Sequence, residues 1–525
     1  MNILLIYPKA PGVFWSMKHA MKLIGKKTVY PPLSLLTIAA MLPSDWHKRL
    51  VDLNVQSLGE NELIWADYVF LSGMYIHRTS MEDIIEKCNL AGVKVVGGGP
   101  FLTHEYENIS GVDHFILNEA EITLPPFLSD LEAGCPKPVY TSSEFADVSQ
   151  TPIPMWDLVN LDYYAEGLIQ YSRGCPYQCD FCDVTSLFGR LPRTKTPEQV
   201  IAELESMGDL KKFRAIFFAD DNLIGNKKHL KTTLLPALIE WRKTNGVTIP
   251  FRTQVTINLA DDQELMDLMI EAGFKGIFIG IETPSVDSLV ACKKKQNTKR
   301  DLIENVKHLQ RSGFDIYAGF IVGFDTDTAS IFQQQAEFIQ ESGIVVALVN
   351  ILKAPPGTEL RERMAREGRL FEGERNDISG SEGEIDFTPM MGEKTLYLGF
   401  KEVVRYIYNP THLYKRVLTF LTRYRAPEAV HLSGQSLLDD VGPFLKSVYY
   451  LGIIDSGRFY YWKLVLWTLL KRPKLFQLAM ELWIVAYHYR KIYEDDPSFV
   501  LEEQYHEAQP SPLIDEEKIL TPVEV

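Results

Sequence analysis

The chain has 525 residues, enough for about three domains, and its 46% hydrophobic and 23% charged residues are an ordinary globular mixture. The net charge of −15 offers no overall basic character for nucleic acid, so we expect no nucleic-acid partner. Six cysteines in so long a chain do not make a disulfide framework. The N-terminus has the pattern of a first strand rather than a signal peptide, which predicts a cytoplasmic protein with reduced thiols.

Residues 1–133 alternate short apolar runs with helical patterns, which predicts a Rossmann-like parallel sheet covered on both faces. Ligands of such sheets bind beyond the carboxyl ends of the strands. No Gly-x-Gly-x-x-Gly pattern is present, so a dinucleotide site is a poor interpretation. His77 and His104 are expected to be surface or satisfied residues. The candidate binding residues at the strand ends are Asp52, Asn54, Ser72, Gly73, Gly97, Gly98, Gly99, Pro100 and Glu119.

Residues 134–163 contain four prolines and are predicted to be a linker. Residues 164–370 then repeat six strands with helices between them, which predicts a partial (βα)6 barrel. The helix Pro197–Met207 begins with Thr196 as its cap and Gln199 as the capping-box partner. Polar residues and glycines fall at the carboxyl ends of the barrel strands, where active sites lie: Asp220, Asp221, Asn222, Glu282, Gly319 and Gly323.

Three of the six cysteines, Cys175, Cys179 and Cys182, follow the first barrel strand with the spacing Cys-x3-Cys-x2-Cys. Clustered thiolates are the usual ligands of iron–sulfur clusters, and a four-iron cube held by three cysteines leaves one iron open. A structural zinc site would need a fourth ligand. No histidine lies between His114 and His229, so zinc is the weaker interpretation. Reduced surface thiols that bind nothing are the remaining alternative.

The last part of the chain differs in composition. Residues 371–394 are rich in glycine and acidic residues and are predicted to be a connector. Residues 395–495 form a helical domain rich in aromatics, with 14 Lys+Arg against 6 Asp+Glu between Lys401 and Lys491. This charge indicates either peripheral contact with an anionic membrane or a lipid-like substrate, or simply a helical cap packed on the barrel. Residues 496–525 are predicted to be a disordered acidic tail.

The cysteine spacing, with Phe181 directly before the last cysteine, resembles the signature of the radical S-adenosylmethionine (SAM) enzymes. The resemblance implies a [4Fe–4S] cluster on the three cysteines, whose open iron binds SAM. It further implies cleavage of SAM to a 5′-deoxyadenosyl radical that abstracts hydrogen from unreactive C–H bonds. Arg173, Arg190 and Arg193 would pair with the SAM carboxylate or be solvated. The other residues implied in SAM binding are Phe181, Asp220, Asp221, Asn222, Glu282, Gly319 and Gly323.

The N-terminal domain resembles the cobalamin-binding domain that precedes many radical SAM cores, through Gly97–Pro100 and the acidic segment 118–121. The sequence has no Asp-x-His-x-x-Gly motif, so bound cobalamin would have no histidine below the cobalt. The alternative is a domain that kept the fold and lost the cofactor. The domain order is similar to that of the group that contains the hopanoid C-2 methylases.

The resemblance implies a cobalamin-dependent radical SAM methyltransferase that acts on an unactivated carbon, with a lipid or isoprenoid substrate motivated by the aromatic helices. A reductant such as flavodoxin or ferredoxin would supply electrons. Two alternatives stay open. One is a radical SAM enzyme that catalyses cyclisation, rearrangement or oxidation without methyl transfer. The other is a non-enzymatic iron–sulfur protein that senses redox state or iron.

Overall fold

The computed structural model describes residues 1–12, 16–371, 385–426, 437–495, 513–515, 517 and 519. Two six-stranded parallel sheets are followed by a helical region. The first sheet contains β1 (Asn2–Tyr7), β2 (His47–Asp52), β3 (Tyr68–Ser72), β4 (Lys94–Gly98), β5 (His114–Ile116) and β6 (Val139–Tyr140). Its helices are α1 (Lys18–Ile24), α2 (Leu33–Met41), α3 (Glu60–Trp65), α4 (Arg78–Ala91), α5 (Pro100–Glu105) and α6 (Ala120–Glu132).

The first sheet has the strand order β2-β1-β3-β4-β5-β6, and all its pairs are parallel. Strand β1 is apolar along its length because both of its faces are covered. Ile3 and Leu5 belong to one hydrophobic cluster, while Leu4 and Ile6 belong to another on the opposite face. The predicted Rossmann-like sheet is confirmed.

The segment 134–163, predicted to be a linker, contains one short strand and three single-turn 3-10 helices. Val139 and Tyr140 form β6 and extend the first sheet beside Phe115 and Ile116. The prolines around them break helices, but they leave this apolar pair free to bond along the sheet edge. The segment therefore begins as the last strand of the first sheet.

The second sheet contains β7 (Glu166–Ile169), β10 (Ala215–Phe218), β11 (Phe251–Val255), β12 (Phe274–Glu282), β13 (Asp315–Val322) and β14 (Val346–Ile351). Its strand order, β14-β13-β12-β11-β10-β7, is the order of the chain, which confirms the partial (βα)6 barrel. The barrel segment also holds α7 (Val184–Phe188), α8 (Pro197–Ser206), α9 (Lys227–Thr232), α10 (Leu234–Asn245), α11 (Gln263–Glu271), α12 (Val286–Ala291), α13 (Leu302–Arg311), α14 (Ser330–Ser342) and α15 (Glu359–Arg366).

A short antiparallel ladder frames the cysteine loop. Ser172 and Arg173 form β8, which pairs with β9 (Arg193–Thr194) and is separate from the first barrel strand, β7. At α8 the predicted cap is confirmed, since Gln199 N donates to Thr196 Oγ1 at 3.2 Å. The predicted capping box is wrong, because the Gln199 side chain instead donates to the carbonyl oxygens of Val148 and Thr151. These carbonyls belong to the segment that joins the two sheets, and they lie beside the helix.

The helical region contains α16 (Glu393–Tyr408), α17 (Pro410–Arg423), α18 (Leu437–Tyr449), a π-helical segment (Tyr450–Ile454), α19 (Arg458–Lys471) and α20 (Phe476–Asp495). It packs on the barrel: Tyr408 Oη donates to the Ala347 carbonyl at 2.8 Å, and the fully buried Arg416 donates to Ile407 and Val345. No helix in the described part of the chain is long and apolar enough to cross a membrane.

Most of the predicted connector 371–394 and of the predicted disordered tail 496–525 lies outside the described residues. The part of the tail that is described lies against α16 of the helical region. The backbone amides of Leu513 and Ile514 donate to the Glu402 carboxylate, and Ile514 is buried. These described residues of the predicted tail therefore contact the folded part of the chain.

Candidate active site

The three cysteines lie on the loop between β8 and α7, at the carboxyl end of the barrel. Gly174, which precedes them, has φ 95°, and a Cβ there would lie 3.0 Å from three carbonyl oxygens, so the turn requires glycine. The thiols are free, and burial raises the pKa of each. No three His, Cys, Asp or Glu side chains among the described residues are placed to share one metal ion. Thiolates that each bind a different iron of a cluster need no such convergence.

The segment 292–297 lies against the cysteine loop and supplies residues that sequence reasoning missed. Asp180 N donates to the Cys292 carbonyl at 3.1 Å, and Gln296 Nε2 lies 3.8 Å from Cys179 Sγ. Lys294 is buried, and its Nζ lies 2.6 Å from Glu282 Oε1. Burial acts to lower the pKa of Lys294, but Glu282 and Cys179 outweigh it and raise that pKa. The buried, positively charged Lys294 side chain therefore lies next to the cysteine thiols.

Glu282 ends β12 in a conformation that a non-glycine residue rarely adopts. Its φ is 65°, and the register between β12 and β13 shifts at this point. Such a left-handed residue costs about 1–3 kcal/mol and is often found at functional sites. The turn directs the Glu282 carboxylate to Lys294 in the interior rather than to solvent.

The predicted acidic group Asp220–Asn222 follows β10 and braces the cysteine loop. Asp220 is buried and accepts bonds from Ser172, including one from Ser172 Oγ at 2.6 Å, and burial raises its pKa to about 7. Asp221 accepts from Gly174 N at 2.8 Å, and burial raises its pKa to about 6. The Nδ2 atom of the third member, Asn222, is buried without a partner, like Gln296 Oε1 beside Cys179.

The remaining residues predicted to bind SAM lie on the cysteine loop and at β13. The Phe181 ring lies 6.1 Å from the Phe324 ring in an edge-on arrangement. A Cβ at Gly319 would lie 3.2 Å from Phe278, so glycine lets that ring lie close to β13. Gly323 has φ 101°, and its amide donates to Asp327 at 2.9 Å.

At the first sheet, the glycine-rich residues predicted to bind a cofactor come together. A Cβ at Gly99 would lie 2.5 Å from Ser72 Oγ and 3.1 Å from the Gly73 carbonyl, so β3 and β4 end in a tight junction. A Cβ at Gly98 would lie 2.7 Å from the Ile116 carbonyl of β5, one at Gly97 would lie 2.6 Å from Leu102, and Pro100 begins α5.

The two histidines near this edge differ. His77 is satisfied as expected, because its Nδ1 accepts from Met74 N at 3.2 Å. The expectation is wrong for His104, whose Nε2 is buried without a partner and whose ring stacks on Tyr75. The Tyr75 hydroxyl is also buried without a partner. His104 faces the barrel, since a Cβ at Gly357 would lie 2.6 Å from its ring.

Asp52 and Asn54 bond to the protein itself. Asn54 N and Nδ2 both lie 2.8 Å from Asp52 Oδ1, and Tyr164 Oη donates to Asp52 Oδ2 at 3.0 Å. Tyr164 immediately precedes the barrel, so Asp52 ties the first sheet to it. Asn54 Nδ2 also donates to the Pro8 carbonyl at 3.1 Å, and the Pro8 ring lies against Gly73 of the glycine junction.

Glu119 joins the two sheets through a buried ion-pair cluster. Its carboxylate lies 2.9 Å from Arg173 and 2.8 Å from Arg193, and Arg173 also pairs with Glu121 at 2.8 Å. Two of the three arginines expected near the SAM carboxylate are thus held by the first domain, while Arg190 is exposed. The Glu119 carboxylate therefore contacts Arg173 and Arg193 and not the glycine junction, because its helix α6 faces β8 and β9.

We expect Arg173→Met to destabilise the junction of the two domains strongly. The substitution leaves the buried Glu119 carboxylate without one of its two cationic partners. Breaking a buried ion pair in this way lowers the free energy of unfolding by about 3–5 kcal/mol. The free energy of unfolding of the apoprotein in urea measures this. Lys243→Met, which breaks an exposed pair with Glu271, is the matched control and should cost about 0–1 kcal/mol. Equal effects of the two substitutions would contradict a structural role for the cluster.

The same cluster predicts loss of stability in acid. Burial acts to raise the pKa of Glu121, but the ion pair with Arg173 outweighs it and lowers that pKa to about 2. The carboxylate therefore stabilises the folded state above its ordinary pKa, and this contribution is lost as the pH falls from about 4.5 towards about 2. Urea unfolding of the apoprotein across this range should show the loss, and Glu121→Gln should flatten the profile. An unchanged profile would contradict the assignment.

Comparisons with known proteins agree with this architecture. Residues 169–339 match the family described as the radical SAM superfamily, and residues 358–496 match a domain of unknown function (DUF4070). An uncharacterized methyltransferase of Synechocystis sp. is 35% identical over 100% of this chain and 98% of its own length. The hopanoid C-2 methylase of Rhodopseudomonas palustris is 33% identical over 93% of this chain and 92% of its own.

Among solved structures, the radical SAM methyltransferase TsrM from Kitasatospora setae, with cobalamin and a [4Fe–4S] cluster bound, has the same fold. The TM-score is 0.59 at 14% identity, and the similarity covers 93% of this chain and 99% of that one. Both sheets and the helical region are included in this similarity, so the domain arrangement is that of a known architecture.

Proposed function

Since the chain belongs to the radical SAM superfamily, in the same family as the hopanoid C-2 methylase, we propose that it is a cobalamin-dependent methyltransferase acting on an unactivated carbon of an apolar substrate. Family membership makes the protein an enzyme that uses SAM and a [4Fe–4S] cluster. The iron–sulfur sensor alternative is therefore set aside. The proposed substrate is a small isoprenoid or lipid, with flavodoxin or ferredoxin as reductant.

The residues at the carboxyl end of the barrel fit the cluster and SAM. Cys175, Cys179 and Cys182 would hold three irons, and Lys294 offers a positive charge to the thiolates and to the SAM carboxylate. The unpartnered atoms Asn222 Nδ2 and Gln296 Oε1 offer hydrogen bonds to a ligand. Bound there, the two groups supply radical chemistry at a C–H bond.

The glycine junction of the first sheet fits cobalamin. The glycines let the ends of β3, β4 and β5 lie close together at this edge, and the buried Tyr75 hydroxyl and His104 Nε2 there lack protein partners. This edge faces the barrel at Gly357, so a cofactor held there lies between the two domains. Cobalamin would supply the methyl group, and a second SAM would restore it.

The proposal of an apolar substrate is carried by a cavity in the barrel. Its volume is about 370 Å³, and its walls come from the barrel strands together with α1, α18 and α20. Three of the four charged residues that line it form one group, in which Arg252 pairs with Glu166 at 3.1 Å and with Glu481, and the fourth is Arg214. Most of the remaining wall is apolar, including Met21, Phe217, Phe278, Phe444 and Ile484. Such a cavity suits a substrate with one polar end.

Anaerobic purification with hydroxocobalamin, followed by iron, sulfide and cobalt analysis, tests the cofactors. About four irons per chain are expected for a Cys-ligated cube, together with bound cobalt. Transfer of a labelled methyl group from SAM to members of a lipid panel then tests the reaction. A cluster without cobalt, or SAM cleavage without methyl transfer, would support cyclisation, rearrangement or oxidation instead and would overturn the methyltransferase proposal.

A further inference from the structure

The helices α18 and α19 and the π-helical segment between them expose an unusual amount of apolar surface. Among the described residues, ten of the twenty exposed large hydrophobic side chains lie between Val441 and Leu470, and each is 40–79% exposed. We call these ten the apolar face: Val441, Leu445, Tyr449, Ile453, Ile454, Phe459, Trp462, Leu466, Leu469 and Leu470. Because all ten lie within 30 residues of the chain, they differ from the scattered exposed apolar side chains of an ordinary surface.

The apolar face follows the helical repeat. Val441, Leu445, Tyr449 and Ile453 recur at four-residue spacing, and Phe459, Trp462, Leu466 and Leu469 recur at three or four. The opposite sides of the same helices are already buried against the protein, through Leu451, Tyr461, Leu464 and Val465. Helices that are apolar on both sides are normally covered on both sides.

Basic side chains surround the apolar face. The exposed cations there are Lys446, Arg458, Lys463, Lys471 and Lys474, and the structure gives none of them a carboxylate partner among the residues it describes. The acidic residue within this stretch, Asp455, is buried and paired with Arg490. This local positive charge stands out in a chain of net charge −15. A second copy docked face to face would bring like charges together, which is unfavourable.

We propose that the apolar face docks on an anionic lipid bilayer. Its aliphatic side chains would enter the boundary of the acyl chains, with Tyr449 and Trp462 at headgroup level, where aromatic side chains are favoured. The surrounding lysines and Arg458 would contact the lipid phosphates. The combination of exposed apolar helices with basic flanks is typical of proteins that lie on a membrane without crossing it.

The apolar face and the barrel cavity share a helix. Phe444 and Ser447 on the inner side of α18 line the cavity, and Leu445 and Tyr449 lie on its outer side, while Val441 of the apolar face also lines the cavity. Docking would therefore place the bilayer one helix away from the cavity, within reach of a lipid substrate. The docking surface itself does not depend on the proposed reaction, and it stands if the substrate proves to be different.

Sedimentation of the full-length protein with vesicles tests the docking. Binding is expected to vesicles that contain phosphatidylglycerol, to be weaker with phosphatidylcholine alone, and to fall with added salt. The double variant Leu466→Glu/Leu469→Glu should bind at least about tenfold more weakly, because two side chains can no longer enter the apolar layer. The matched control, Ile64→Glu/Leu90→Glu, alters side chains 78% and 82% exposed elsewhere and should bind like the parent chain.

Iron content and SAM cleavage, measured on the same samples, report whether each variant folds and keeps its radical SAM site, and methyl transfer to the lipid panel tests the reaction separately. If the double variant loses its cluster, the single variant Leu470→Glu, at a side chain 79% exposed, takes its place. Absence of binding to both vesicle types, or equal loss in the control, overturns the proposal. Light scattering gives a further test. If the parent chain is a dimer and Leu466→Glu/Leu469→Glu separates it into monomers, the apolar face binds a second copy, and the proposal is overturned.

Discussion

Cys179→Ala is expected to remove the iron–sulfur cluster and with it all SAM cleavage. Cys179 is the central cysteine of the loop, and its thiol is buried beside Gln296 and Lys294. A cube cannot be held by two thiolates in a site whose other neighbours are a cation and an amide. We expect iron and sulfide per chain to fall to background and the rate of SAM cleavage to fall by at least about 10³-fold.

Cys135→Ala is the matched control, because Cys135 is exposed and lies in the segment between the sheets. It should keep the iron content and the rate of the parent chain. Circular dichroism of both variants separates loss of the cluster from loss of the fold. Retention of SAM cleavage by Cys179→Ala would refute both the cluster site and the enzyme chemistry that depends on it.

Lys294→Met is expected to impair both the fold of the barrel and the binding of SAM. The substitution leaves Glu282 buried and unpaired at a residue whose backbone is already strained. Breaking a buried pair in this way costs about 3–5 kcal/mol. It also removes the cation beside Cys179, so we expect the dissociation constant for SAM to rise by about tenfold or more. Urea unfolding of the apoprotein and equilibrium SAM binding to the cluster-loaded protein measure the two effects.

The neighbouring Lys293 provides the control. Its pair with Glu359 is half exposed, so Lys293→Met should cost about 0–1 kcal/mol and leave SAM binding unchanged. The double variant Lys294→Met/Glu282→Gln removes both charges and should recover much of the stability without recovering SAM binding. Recovery of both together would mean that Lys294 acts only through the fold.

Most of the fold could be predicted from the sequence because both sheets are parallel and buried. Strands such as β1 and β13 are continuous apolar runs separated by helical patterns, and these features are local in the chain. The elements missed were short. The helices α3 and α5 have six residues each, and β6 has two, so too few positions exist for a period to be recognised.

The candidate site was only partly predictable, because its contacts join distant parts of the chain. The cysteines could be found from their spacing within eight residues, Cys175 to Cys182. Gln296, however, reaches Cys179 across 117 positions, and Lys294 lies in a run of three lysines that has the appearance of a solvated surface. The partners of Arg173 were also beyond sequence reasoning, since Glu119 and Glu121 reach it only when the two sheets pack together.

The position of the barrel cavity affects how substrate and SAM would reach the enzyme. Its walls come from the earlier parts of the strands, such as Glu166, Gly276 and Tyr317, whereas the cysteine loop and Asp220 lie beyond the later ends. An apolar substrate in the cavity would therefore approach the barrel from the end opposite to the SAM site. The products of SAM cleavage could leave and a new SAM molecule could bind while the substrate stays bound in the cavity. A reaction that consumes two SAM molecules for each methyl group delivered would benefit from this separation.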